Sequence, residues 1–319
     1  MADQKTITGV IPAALTPFDT DARISKGDLT AHLTYLASVP GVAGVTVNGH
    51  AGEVASLSHA EQQFVLTAAR EVVSEHQTLV AGIYAHSTSQ ARGLAAMAAD
   101  EGADAVLVFP PEVWEFGIAD DPRQAFRYYE AIAEASKLPV VAFVYPSSSP
   151  VHLSTDTIIS LCHEVPQIVA VKEWSNNIFV YEGTLRRLRE EHPHVSLLSS
   201  HSRSLLPTLV LGADGILSGH GSLVPELHVA LVDAVATCDL DRARGLALTL
   251  HGLTKEFYAS PIADGFTRMK AVSKMLGRIE SDIVREPLLP LGREELDRLA
   301  TWVPTLEDIG KLPPGGDLR

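Results

Sequence analysis

Cysteine is scarce in this chain. Cys162 and Cys238 are the two among 319 residues, which leaves no disulfide framework and no CxxC metal knuckle. Basic runs of five or more residues are absent, and the formal net charge is −14. Nucleic acid and anionic membrane surfaces are therefore repelled at long range; the ordinary reading of the same charge is solubility. No apolar stretch approaches the ~20 residues of a membrane span. Residues 1–9 include polar residues where a signal peptide would carry its apolar segment. Together these absences set the expectation of a soluble protein in the reducing cytoplasm.

What is present is a large apolar fraction, 46% against 20% charged, enough for a sizeable core. Short apolar, β-branched runs fall at 9–15, 44–47, 78–83, 105–109, 139–144, 168–171, 195–198 and 215–217. Amphipathic stretches separate them. Ser58-x-x-Glu61 and Ser87-x-x-Gln90 fit the capping box that opens a helix. Strands alternating with helices require crossovers, hence a parallel sheet. Near-continuous apolarity within each strand means that both sheet faces are covered. Eight such units predict an α/β fold, a (β/α)8 TIM barrel. Neither GxGxxG nor GxxxxGK[ST] follows the first strand, which argues against an open nucleotide-binding sheet. Past residue 236 the strand signal stops, and 239–258, 264–277 and 293–303 read as helices. The expected organisation is a catalytic barrel over 1–236 and a C-terminal α-helical domain over 237–319, ending in a loose tail.

A barrel of this kind carries its active site at the C-terminal ends of its strands. Lys172 directly follows the apolar run Ile168-Val169-Ala170-Val171. A stem that begins inside a low-dielectric barrel disfavours the ammonium form and yields an amine able to attack a carbonyl near neutral pH. The alternative is a lysine that ends a strand and reaches water. Gly49 and Gly52 bracket a turn after the second strand. Such glycines can aim successive amides at one carboxylate, or can simply punctuate a βα turn.

The chain resembles the dihydrodipicolinate synthase / N-acetylneuraminate lyase family along nearly its whole length. The likeness runs through Ala13-Ala14-Leu15-Thr16-Pro17-Phe18, then Gly49-x-x-Gly52-Glu53 followed by Ser56-Leu57-Ser58 and Glu61. It continues in Gly102-Ala103-Asp104-Ala105, Leu138-Pro139, Val169-Ala170-Val171-Lys172-Glu173, Gly212-Ala213-Asp214-Gly215 with Ser218, and Val284-Arg285-x-Pro287-Leu288. The resemblance implies a Schiff-base (class I) aldolase or dehydratase in which Lys172 holds a pyruvate-type 2-oxo acid as an iminium, the electron sink for chemistry at the neighbouring carbon. It also implies that the backbone amides of His50 and Ala51 bind the substrate carboxylate. No metal or organic cofactor is expected, and the C-terminal helices fit a homo-oligomer, a dimer or tetramer. Gly49, Ala51, Phe143, Trp174, Ser200, Leu217 and Ser218 are the candidate substrate contacts.

Departures from the family pattern bear on the substrate. His50 and Ala51 stand where two hydroxyl residues are usual, and Phe143 stands at the strand-five tyrosine. Tyr145 lies two residues on and faces the same way, so Tyr145 or His50 is the candidate replacement acid/base; the alternative for Tyr145 is packing. Ser147-Ser148-Ser149 replace the arginine with which dihydrodipicolinate synthases grip a second carboxylate. Pro110-Pro111-Glu112 replace their tyrosine pair. A lysine-biosynthesis role is therefore not expected. Trp114, Phe116 and Trp174 suggest instead a partly aromatic pocket, or else lid and interface residues. Two rival readings are a catalytically silent small-acid-binding barrel and a metal-dependent lyase using His50, His86, His201 and His220.

Overall fold

The computed structural model describes residues 6–117 and 121–312; the loose tail expected beyond 312 lies outside them. Among the described residues, eight strands form one parallel sheet. They are β1 (Gly9–Pro12), β2 (Gly44–Val47), β3 (Thr78–Ile83), β4 (Ala105–Val108), β5 (Val140–Val144), β6 (Ile168–Glu173), β7 (Ser196–Ser199) and β8 (Gly215–Ser218). From β2 to β8 each pairs with the next in sequence, and β1 pairs with β8. Bridges Val10–Val42 and Ala13–Thr46 bring β1 against the β2 segment and close the ring. This is the expected (β/α)8 TIM barrel.

The outer layer consists of α1 (Lys26–Ser38), α2 (His59–Val72), α3 (Thr88–Asp100), α4 (Arg123–Ser136), α5 (Thr155–Glu164), α6 (Ile178–Glu191), α7 (Leu205–Leu211) and α8 (Pro225–Ala236). C-terminal helices follow: α9 (Leu240–Phe257), α10 (Gly265–Met275), α11 (Arg293–Ala300) and α12 (Val303–Ile309). At α2 the capping box is complete, with the Ser58 hydroxyl accepting from Glu61 N and Ser58 N donating to Glu61 at 2.8 Å. At α3 it is half-made. Ser87 accepts from Gln90 N, but the Gln90 side chain accepts from His86 N, one residue early.

Alternation along the strands decides which side chains reach the interior. On β5, Val141 and Phe143 pack inside the barrel, whereas Val140, Ala142 and Val144 pack under the helices. On β6, Ala170 belongs to the interior and Val171 to the outer layer. The same alternation sends Lys172 inward and Glu173 outward. Both faces being covered accounts for strands that read as unbroken apolar runs.

Candidate active site

A cavity of about 620 Å³ opens at the C-terminal end of the barrel. Of the residues singled out from sequence, Gly49, His50, Ala51, Phe143, Tyr145, Lys172, Trp174 and Ser200 line it. Leu217 and Ser218 do not. Both are buried, and the Ser218 hydroxyl meets that of Ser202, a lining residue, at 2.9 Å.

Lys172 lies within β6, one residue from its end. It is 7% exposed, and burial pushes its amine down to about 7. Its Nζ sits 3.9 Å from the centre of the Phe143 ring. That contact favours the ammonium form, so the direction of the shift says that desolvation wins. Phe143 in turn packs edge-on against Phe109, at 5.3 Å between ring centres, and nearly parallel to Trp174, at 6.1 Å and 20°. On the outer face of the same strand, Glu173 contacts the His201 imidazole and accepts from Ser175 N at 3.1 Å. The strand end is thereby held from behind, which limits how far Lys172 can wander.

Beside the amine, His50 Nε2 and the Tyr145 hydroxyl are 2.5 Å apart. Burial, with a contribution from the Lys172 charge, lowers His50 to about 3. Burial also raises Tyr145 well above the ordinary phenol range. The pair is consequently a neutral imidazole and an intact phenol. The two share one hydrogen bond, whose direction is set by the imidazole tautomer. A phenol thus enters the cavity two residues along from the position held by Phe143.

The turn after β2 is a single helical turn, His50–Gly52. Its own bonds begin with Gly52 N–H to Gly49 O at 3.0 Å, so the His50 and Ala51 amides precede the ladder. Neither glycine takes a left-handed conformation. The positive φ values belong to Asn48 and Glu53, both at 54°. Gly52 is required by space, since a Cβ there would lie 2.9 Å from Thr16 Oγ1, whereas one at Gly49 would meet nothing within 4 Å. Gly52 therefore serves close packing, and neither glycine supplies an unusual backbone angle to the turn.

That turn is anchored from the C-terminal helices. Glu53 pairs with Lys270 of α10, and both side chains are essentially inaccessible. Arg285 N donates to the second oxygen of Glu53 at 3.1 Å. The Arg285 guanidinium binds both Glu61 oxygens, at 2.5 and 3.0 Å, and the carbonyls of Ala22 and Ser56, each at 2.9 Å. Hydrogen bonding to Arg285 holds Glu61 down at about 2.

The four strand-end histidines do not converge. His50 lines the cavity. His86 is exposed beside Glu112, His201 is buried behind β6 with Glu173 and Tyr181, and His220 is buried against His228 and Phe257. Among the described residues no three His, Cys, Asp or Glu side chains assemble as a metal-ligand set. Of the three aromatics considered for the pocket, only Trp174 lines it. Trp114 is buried against Tyr128, and Phe116 is 83% exposed.

Sequence reasoning missed the cavity wall supplied after α8, namely Tyr258, Ile262, Ala263 and Phe266, and Ser202 near β7. Nothing local marks them, because they reach the barrel mouth through the packing of distant helices. The Tyr258 phenol is buried, which raises its pKa, against an opposing effect of the Ser202 and Ser218 hydroxyls.

The model of the dihydrodipicolinate synthetase family matches residues 6–305. The chain belongs to that family. As a member it is a lyase of the class I aldolase type. The 4-hydroxy-tetrahydrodipicolinate synthase of Methanopyrus kandleri is 33% identical over 316 residues, covering 97% of this chain and 99% of that protein. YagE of Escherichia coli, described as a putative 2-dehydro-3-deoxy-D-gluconate aldolase, is 25% identical over 308 residues, covering 96% and 99%. The crystal structure of dihydrodipicolinate synthase from Aquifex aeolicus has a TM-score of 0.84 at 26% identity and covers 94% of this lyase and 98% of its own chain. No helix among the described residues is long and apolar enough to cross a membrane.

Proposed function

We propose that this lyase acts on a pyruvate-type 2-oxo acid through a Schiff base on Lys172, as an aldolase or dehydratase and not as a dihydrodipicolinate synthase. The observation that carries the reading is a buried amine, pushed down to about 7, on the wall of a cavity large enough for a substrate. The unprotonated Nζ attacks the C2 carbonyl, and the carbinolamine loses water to give the iminium. The first amides of the His50–Gly52 turn receive the carboxylate. Tyr145 and His50 carry protons to and from the intermediates, taking the place of the family's hydroxyl chain. The case against the synthase is Ser147-Ser148-Ser149, where a second carboxylate would need an arginine; Ser148 and Ser149 border the cavity.

Borohydride added to the protein with pyruvate is expected to fix a mass adduct on Lys172. No adduct with any 2-oxo acid tried would sink the reading. The pH dependence follows from the same burial. Below pH 7 Lys172 is an ammonium without a lone pair, and above it the amine is free. Imine formation in a single turnover, quenched into borohydride, should rise through about pH 7 as a one-proton step. A midpoint near the ordinary lysine value would contradict the environment described. Replacing Tyr145 by Phe keeps the ring but removes the hydroxyl that is hydrogen-bonded to His50. A loss of about 10²- to 10⁴-fold in kcat is expected, with the pyruvate adduct still trapped; unchanged kcat would assign the relay elsewhere.

A further inference from the structure

Beyond the carboxylate and carbonyl of a 2-oxo acid, the cavity has room for a second reactant or a departing half, and the chemistry of its walls limits what that half is. Its volume of about 620 Å³ is in the range that accommodates a drug-sized ligand, more than a three-carbon acid fills. Lys172 and Arg285 are the cations among the described lining residues. Lys172 is committed to the carbonyl carbon. Arg285 is committed to both Glu61 oxygens and two backbone carbonyls. Glu53 is bound by Lys270 and Arg285 N. Glu286 at the rim adds a negative charge. A second carboxylate or a phosphate would therefore enter without a counter-ion.

Much of the remaining surface is apolar and aromatic, interrupted by the hydroxyl residues Ser148, Ser149, Ser200 and Ser202. Phe143, Tyr145 and Trp174 form one cluster, with Phe143 and Trp174 nearly parallel. Ile262, Phe266 and Leu288 border the same space. Aromatic planes of this kind favour an aromatic guest through offset and edge-on contacts. A polyhydroxylated chain laid on this aromatic face would instead lose its water to ring carbons.

We infer that the second half of the substrate is an uncharged aryl group, so that the lyase cleaves or forms 4-aryl-4-hydroxy-2-oxobutanoates, with an aromatic aldehyde and pyruvate as the two parts. In the cleavage direction the iminium between Nζ and C2 draws the C3–C4 electron pair into an enamine. The C4 hydroxyl gives its proton to the Tyr145–His50 relay, and the aldehyde departs. The relay returns that proton to C3, and water adds across the iminium to release pyruvate and the free amine.

This inference rests on the Schiff-base reading, and one experiment separates their fates. The wild-type protein is given pyruvate with benzaldehyde, glyceraldehyde or succinic semialdehyde, and the condensation products are followed by mass spectrometry beside a borohydride trap with pyruvate alone. Benzaldehyde is expected to have a kcat/KM about tenfold or more above the other two. Trp174→Ala should narrow that ratio. A trapped pyruvate adduct without preference for benzaldehyde, or without condensation with any of the three, overturns the inference and leaves the Schiff-base reading standing. Absence of the adduct overturns both.

Discussion

Replacing Lys172 by alanine is expected to abolish the borohydride-stable adduct and to lower turnover by at least about 10⁴-fold, while leaving the fold intact. Removing the nucleophile removes the covalent intermediate itself, and no other lysine lines the cavity among the described residues. The effect on stability should have the opposite sign. Burial depresses the folded-state pKa of Lys172 from 10.5 to about 7. Between those values the unfolded chain holds a proton that the folded chain does not, so stability rises with pH across that window. Below pH 7 the full cost of burying the charge is present. Alanine removes that cost and leaves some empty space beside Phe143. The two effects oppose each other, so thermal unfolding at pH 6 should give a Tm no lower than that of the wild type. Turnover within tenfold of the wild type would dismiss Lys172 as the nucleophile. A collapse in Tm would instead make it a packing residue.

The largest expected loss of stability lies elsewhere, at Lys270. Its ammonium and the Glu53 carboxylate are buried together, and burial brings Lys270 down to about 8 despite the opposing effect of Glu53. Lys270 is therefore an ammonium at neutral pH. Lys270→Met keeps much of the side-chain volume but strands a buried carboxylate, at a cost of about 3–5 kcal/mol. Glu53 ends the turn that carries His50 and Ala51, so affinity for the 2-oxo acid should weaken as well. Adding Glu53→Gln to Lys270→Met removes the orphaned charge, and part of the stability should return. Urea unfolding of the two single variants and the double variant measures the coupling directly. A Lys270→Met protein within 1 kcal/mol of the wild type would show that water or rearrangement reaches Glu53.

Much of this architecture was legible in the sequence. The apolar runs marked every strand to within a few residues, because burial on both faces leaves a signal that needs no partner to be read. Lys172 stood out because a charge at the end of such a run is costly unless it has a use. Tyr145 followed from the two-residue period of a strand.

Other features depended on contacts that no local pattern encodes. Tyr258, Ile262 and Phe266 reach the cavity only because α9 and α10 pack back over the barrel mouth. The destinations of the histidines were equally hidden. His201 follows β7 yet turns behind the sheet to meet Glu173, and His220 is drawn toward His228 on α8. Trp114 and Phe116 lie two residues apart on one short helical turn, and that spacing sends one into the core and the other to solvent.

The bonds joining Glu53 to Lys270 and Arg285 also define a unit of exchange. The turn after β2 and the segment from Tyr258 to Leu288 are far apart in the chain, yet both line one cavity and are joined by one buried ion pair. A chimera that took its barrel from one relative and its C-terminal helices from another would cut through that pair. Recombination among these lyases should therefore succeed when the two pieces travel together, and otherwise yield barrels that keep their strands but lose their substrate.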